Sequence, residues 1–257
     1  MHPLETSGWY VIAGAIDSGT ALDLTMRVRN AVCGAPTYDG GGIAFRQGAI
    51  NVLPELEDLV CNPRILEVVR GFLGEHVRVS FTTGIVTQPG SAQGMWHADW
   101  PFNQMHAGRL PAPYPPIRAQ ATVIWMLTPF TEDNGTRVLP GSQRRRNNPT
   151  GMAERARFRS YPGELAVTGR PGDALALDSR VWHCPAANRG STERVAVAVR
   201  YAPWWLDLSI LRDGSLTRDM MVERSGIPEN LVPPIPRDVF TRFGREARDL
   251  LGHLREE

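Results

Sequence analysis

With 257 residues, 42% of them hydrophobic, the chain can bury a full core within one unit. Its 28 basic and 27 acidic side chains leave a net charge of +1, so no global field draws it to nucleic acid or to a membrane surface, and a small-molecule substrate is the expected partner. Cys33, Cys61 and Cys184 are odd in number, scattered and unlike any zinc spacing, which excludes a disulfide framework and reads as reduced thiols in a cytoplasmic protein.

The N-terminus lacks a basic segment followed by an apolar one, and no run approaches membrane-spanning length. The first part, to about residue 76, reads as helical. Asp17-Ser18-Gly19-Thr20 precedes a capped helix over Ala21 to Val32, and Pro54 to Val60 and Pro63 to Phe72 give two further helical pieces ended by Gly71 to Gly74. Between them, Cys33 to Gly48 reads as a glycine-rich loop. From Val77 the character changes to short strands separated by Gly, Pro and Asn turns, which suits a barrel or jelly roll over about 77–205. Thr122 to Leu127 is apolar, Gly172 to Leu177 is a glycine turn feeding a short apolar run, and Arg194 to Tyr201 alternates β-branched with small residues. Arg144-Arg145-Arg146, after a Pro-Gly turn and before Asn147-Asn148-Pro149, reads as a solvated loop, with a binding site for an anionic substrate tail as the alternative. Helical spacing returns over Pro236 to Leu254, with Val239, Phe240, Phe243, Ala247, Leu250, Leu251 and Leu254 on one face.

The stretch Met95-Trp96-His97-Ala98-Asp99-Trp100 carries the chemistry. In an extended strand alternate side chains share a face, so His97 and Asp99 project together while Ala98 turns back. An imidazole and a carboxylate then converge, and a second imidazole would complete the two-His, one-carboxylate set that leaves positions open on a non-haem iron. A structural zinc site fills its coordination sphere instead. Downstream, Asp178-Ser179-Arg180-Val181-Trp182-His183 offers that second imidazole, and Arg194 follows eleven positions later at the start of its strand. A short motif gains weight only with such context. Arg194 is permanently charged and presents a planar fork suited to a carboxylate.

In this order, from about Thr82 to Trp205, the chain resembles the phytanoyl-CoA dioxygenase family of Fe(II)/2-oxoglutarate-dependent oxygenases. The resemblance is carried by Gln88-Pro89-Gly90, His97-x-Asp99, the block Leu127-Thr128-Pro129-Phe130-Thr131-Glu132-Asp133-Asn134-Gly135, Val138-Leu139-Pro140-Gly141-Ser142, Gly172-Asp173, His183 and Arg194. It implies a mainly β fold, a double-stranded β-helix flanked by α-helices, as one domain over 1–257 with a C-terminal helical segment at about 236–254. It also implies Fe(II) held by His97, Asp99 and His183, Arg194 gripping the far carboxylate of 2-oxoglutarate, and O2 as oxidant. Hydroxylation of a small metabolite with release of succinate and CO2 follows, with desaturation, epimerisation and ring closure open at the same site. Related halogenases carry Ala or Gly where Asp99 stands, so the carboxylate argues against halogenation.

Thr122 is expected either to help hold the co-substrate or to face the core. The chain departs from the family pattern twice: Pro185 stands where relatives often carry Ser, and Gln143 where the Pro-Gly-Ser run commonly ends in His. The first departure leaves the carboxylate pocket one donor short, which Thr122 could make good. Trp100, turned from the ligand face, and Trp204, in the loop Ala202 to Leu216 with Trp205, are candidates for substrate contact, as is the loop Trp100 to Pro116. His106 in that loop is the competing imidazole, better suited to contact substrate or the ligands' neighbours; His2, His76 and His253 read as surface or structural. Cys184, beside the distal ligand, reads as a small buried hydrophobe. A cupin-like isomerase or hydrolase without 2-oxoglutarate, which would leave Arg194 no special partner, and a non-catalytic binding barrel are the readings from other classes.

Overall fold

The computed structural model describes residues 2–33, 37–38, 41–100, 110–226 and 230–257, with backbone alone at 37–38. Among the described residues ten strands order the fold: β1 (Trp9–Ile12), β2 (Thr37–Tyr38), β3 (Ile43–Gln47), β4 (Val77–Thr87), β5 (Ala121–Met126), β6 (Arg137–Leu139), β7 (Leu165–Ala166), β8 (Ala174–Asp178), β9 (Trp182–Cys184) and β10 (Arg194–Pro203). Seven form one antiparallel sheet in the order β1-β8-β5-β10-β4-β3-β2, and three form a second, β7-β6-β9. Two antiparallel sheets with helices packed outside are the jelly-roll arrangement expected from the sequence.

Side-chain alternation on the large sheet separates its two faces. Along β10, Val195, Val197, Val199 and Tyr201 join β5's Val123 and Trp125 in a core shared with the flanking helices. Ala196 and Ala198 face the other way, into a smaller core with Ile124, Met126, Leu175 and Leu177. The same period puts Arg194 and Arg200 on this second face, at either end of the alanine pair. β10 is paired on both sides, by β4 and β5, so these two arginines stand at the centre of the sheet.

The helix Ser18–Val32 forms where expected, with Asp17 accepting from the Thr20 amide at its N-terminus. It buries Ala21, Leu24, Val28 and Val32, and lies close on β4 because Gly84 carries no side chain there: a Cβ would meet Val32 Cγ2 at 3.0 Å. The second helical region holds as a 3₁₀ turn Pro54–Leu56, a short helix Glu57–Val60 and the helix Pro63–Leu73.

Two expectations change. The N-terminal stretch read as helical also supplies β1, β2 and β3, which take both edges of the large sheet, and the last two of these lie inside the expected glycine-rich loop. Short strands at sheet edges carry little periodicity of their own; pairing to β8 and β4 makes them. The C-terminal helix is broken into Arg237–Phe240, Arg245–Leu251 and a 3₁₀ turn Gly252–Leu254. Gly244 interrupts it, extended and donating its amide to Glu57 Oε1 at 2.6 Å, yet all seven residues of the predicted apolar face are buried. Among the described residues no helix is long and apolar enough to cross a membrane.

Candidate metal centre

His97, Asp99 and His183 meet in space: one ligand atom from each lies within 4.8 Å of the others. The expected strand through His97 reduces to one antiparallel bridge, in which His97 and His183 exchange both backbone hydrogen bonds, 3.0 and 2.9 Å. The chain then bends at Asp99, and the Trp100 amide donates to the Ser179 carbonyl at 3.0 Å. The bend keeps Asp99 on the side of His97. His97 Nε2 is 3.8 Å from Asp99 Oδ1, His183 Nε2 is 3.8 Å from Asp99 Oδ2, and the imidazole rings lie 4.3 Å apart between centroids.

Both rings are fixed the same way. His97 Nδ1 lies 2.9 Å from the Met95 carbonyl and His183 Nδ1 lies 3.0 Å from the Val181 carbonyl, each two residues upstream. A carbonyl only accepts, so Nδ1 carries the proton and Nε2 presents a lone pair to the centre of the group. Burial, then the neighbouring His183, pulls the His97 pKa down to about 4, which keeps that lone pair free at neutral pH.

Asp99 is held from outside the cluster. Burial alone would push its carboxyl up, but the Arg200 guanidinium, with smaller contributions from His183, His97 and the Thr122 hydroxyl, brings it down to about 2. Arg200 Nη2 bonds Asp99 Oδ1, Thr122 Oγ1 donates to Asp99 Oδ2 at 2.6 Å, and Arg200 Nε reaches Thr122 Oγ1 at 3.3 Å. Arg200 is only 5% exposed and also stacks over Phe81, its Cζ 4.3 Å from the ring centroid. Sequence reading missed Arg200, although the Arg-x-Ala-x-Ala-x-Arg spacing already put it on the face of Arg194. Thr122, expected either to hold the co-substrate or to face the core, gives its hydroxyl proton to the carboxylate of Asp99.

Arg194 is 3% exposed on the inner face of β10. Its Nη1 bonds the Asn134 carbonyl at 3.0 Å and Thr136 Oγ1 at 3.4 Å, its Nη2 bonds Thr87 Oγ1 at 3.1 Å, and its Cζ lies 4.9 Å over the Phe130 ring. No carboxylate pairs with it among the described residues, and its buried Nε has no partner. Burial lowers its pKa to about 10, so it still carries its charge at neutral pH. The Thr131-to-Gly135 block explains the local shape. Asn134 Oδ1 accepts from the Thr131 amide at 2.8 Å, and Gly135 passes so close to the Val167 carbonyl that a Cβ would sit 2.2 Å from it. The turn thereby delivers the Asn134 carbonyl and Thr136 to the guanidinium. Pro185, in the place of the usual Ser, packs against Gly94 and accepts its amide at 2.9 Å. Thr87 and Thr136 are the hydroxyls present beside Arg194.

Trp100 packs partly buried on the main core, and Trp204 is 65% exposed just beyond β10, with its amide on the His76 carbonyl. His106 lies outside the described residues. Cys184 is buried, with burial raising its thiol well above the usual range, and all three cysteines are free. The arginine run is exposed as expected, but not idle: Arg145 stacks over Trp182, 4.8 Å from the ring centroid.

A jelly roll presenting two imidazoles and a carboxylate on its inner wall defines a mononuclear metal-site fold. The chain belongs to the phytanoyl-CoA dioxygenase (PhyH) family, whose profile matches residues 34–196. It is similar to dioxygenase af480 of Aspergillus fumigatus, 27% identical over 212 residues that make up 77% of this chain and 64% of that protein. The chain therefore spans somewhat less than two thirds of that relative. Among solved structures it is similar to HygX of Streptomyces hygroscopicus with nickel, 2-oxoglutarate and hygromycin B bound, at 18% identity and TM-score 0.63 over 89% of this chain and 93% of that one. It is also similar to the non-haem α-ketoglutarate-dependent epimerase SnoN of nogalamycin biosynthesis, at 17% identity and TM-score 0.62 over 78% of this chain and 80% of that one. At these identities the two structures speak to the fold.

Proposed function

We propose that the protein is an Fe(II)- and 2-oxoglutarate-dependent oxygenase acting on a small molecule, with R–H, 2-oxoglutarate and O2 giving R–OH, succinate and CO2. The observation that carries this reading is the pairing of the triad with a buried, charged Arg194 that has no carboxylate partner among the described residues. An isolated buried cation is costly, and a chain keeps one where an anion arrives to meet it. A cupin-like isomerase or hydrolase without the co-substrate would leave Arg194 with that cost and no return.

In this reading His97, Asp99 and His183 hold the iron and Arg194 takes the distal carboxylate of 2-oxoglutarate. The donor set fits a divalent first-row metal: two neutral Nε2 atoms and one ionised carboxylate, with Nδ1 locked on both rings. When bound, iron supplies the oxidative decarboxylation of 2-oxoglutarate by O2 and the oxidation of the substrate carbon. The chain's own part is orientation. Met95 and Val181 set the imidazoles, Arg200 and Thr122 hold the carboxylate, and Thr87, Thr136 and the Asn134 carbonyl aim the Arg194 fork. The inner face between the arginines is alanine at 196 and 198, packed into the smaller core with Ile124 and Leu175. The β-helix and its helices act as one unit here, and the free thiols at Cys33, Cys61 and Cys184 suit a cytoplasmic enzyme.

The test is spectroscopic. Fe(II) and 2-oxoglutarate are added without oxygen, and the visible metal-to-ligand charge-transfer band is recorded for wild type and Arg194→Ala. Wild type should show the band and the variant should lose it at moderate co-substrate concentration. A wild-type protein that loads Fe(II) but shows no band overturns the proposal.

A further inference from the structure

The oxygenase reading leaves one cavity unused. About 390 Å³ in volume, it is lined by Arg118, Arg144, Arg146 and Arg180 together with Gln143 and Glu5. Two of its four cations are already matched. Arg118 pairs with Glu5 and lies over the Phe72 ring, and Arg180 pairs with the buried Asp178, Nη2 to Oδ2 2.6 Å. The other two are not. Arg144 Nη2 donates to the Thr6 carbonyl at 2.9 Å and Arg146 Nε to the Tyr114 carbonyl at 2.5 Å, and neither meets a carboxylate among the described residues.

Gln143 supplies the second, independent observation. Its side chain is 4% exposed, yet among the described residues neither its amide nitrogen nor its oxygen has a hydrogen-bond partner. Leaving such groups unmet in a buried setting is costly unless something else meets them. Gly8, at φ +84°, makes space for this side chain, since a Cβ there would stand 2.7 Å from Gln143 Oε1. Arg146 itself is held at φ +54°, the left-handed region that a residue with a side chain rarely adopts.

One lining residue of the cavity is a chain neighbour of two groups that fix the metal centre. Arg180 sits between Ser179, whose carbonyl accepts the Trp100 amide next to Asp99, and Val181, whose carbonyl holds His183 Nδ1. Tyr114 and Arg146 exchange a backbone and a side-chain hydrogen bond, tying the cavity to the segment that follows the triad.

We propose that this cavity binds a doubly charged oxyanion of the phosphate-monoester kind, carried by the small molecule oxidised at the triad. Arg144 and Arg146 supply forked donors, and the Gln143 amide supplies a neutral donor from the wall. That the anion belongs to the oxidised molecule rests on the oxygenase reading; binding of the anion does not, and it is measured on metal-free protein without 2-oxoglutarate.

The experiment is calorimetric titration with phenyl phosphate and with inorganic phosphate at low ionic strength. It uses wild type, the Arg144→Gln/Arg146→Gln double variant, Gln143→Leu, Arg194→Ala, and a control double variant, Arg237→Gln/Arg242→Gln, that removes the same charge elsewhere. Wild type should bind phenyl phosphate at one saturable site. Loss of two charge-assisted donors should weaken it about tenfold or more in the cavity double variant, Gln143→Leu should weaken it about fivefold, and Arg194→Ala and the control should stay within about twofold. Arg144 and Arg146 are exposed, so their variants should fold, as thermal melting will check, and they decide the matter should Gln143→Leu fail to fold. Phenyl phosphate binding about tenfold tighter than inorganic phosphate supports an anion carried by an organic molecule; equal affinities overturn that half. No saturable binding, equal weakening in the control, or loss in Arg194→Ala with retention in the cavity variant overturns the site itself. Because the assay contains no iron, its outcome is independent of the charge-transfer test.

Discussion

Arg194 and Arg200 share a strand, a face and a depth of burial, and they differ in what they meet. Arg200 lies against the Asp99 carboxylate, with Thr122 bridging the two. Arg194 is met by hydroxyls, a carbonyl and an aromatic ring, all of them neutral. One end of β10 is thus electrostatically closed before any ligand arrives and the other is open. The difference separates structure from binding: a buried charge with its counter-charge in place organises the site, and a buried charge without one is where, on the proposed function, the co-substrate's anion docks.

Stability of the metal-free protein is the widest lever on this contrast. Arg200→Met should destabilise it by roughly 3–5 kcal/mol, because the Asp99 carboxylate is left buried and unmatched, whereas Arg194→Met should be neutral or gain about 1–3 kcal/mol. Urea denaturation at pH 7 reads both; equal losses would erase the distinction. Adding Fe(II) should restore much of the Arg200→Met deficit, since a cation then faces Asp99 again.

Next in size is co-substrate affinity. Arg194→Lys keeps a charge and loses the planar fork, so the Kd for 2-oxoglutarate should rise roughly 10–100-fold, while Arg200→Lys should leave it nearly unchanged. Titration of the charge-transfer band gives these values. Metal affinity should invert the pattern: Thr122→Val removes the hydrogen bond on Asp99 Oδ2 and should weaken Fe(II) binding about tenfold, with little effect on 2-oxoglutarate. The smallest effect belongs to Thr87→Val, about 1 kcal/mol or a few-fold in 2-oxoglutarate affinity through a less constrained Arg194. A Thr87→Val variant that instead lost metal would show the two ends of β10 to be one coupled unit.

The sequence carried the triad, Arg194 and the sheet strands from Val77 onward, because each is announced locally by an alternating pattern or by a fixed distance from a neighbour. What it hid came from contacts between distant positions. Arg200 and Asp99 are 101 residues apart, so nothing near either one announced the pair. Thr122 was noticed, but its partner decided its role, and that partner sits on another segment. β1 became a strand through β8, and the C-terminal helix breaks where Gly244 reaches Glu57, 187 residues away. The glutamine in place of histidine at 143 was visible as a departure; its burial without a partner was not.

The carbonyls of Met95 and Val181, which hold the two imidazoles, bear on how this protein can change. Every amino acid brings the same carbonyl, so the aim of both rings is indifferent to which side chains stand at 95 and 181. If the proposed function holds, loops near the triad can be exchanged for a new substrate while the aim of both rings is kept. The protein is in this respect a chassis: its tolerance for altered specificity is written into its main chain.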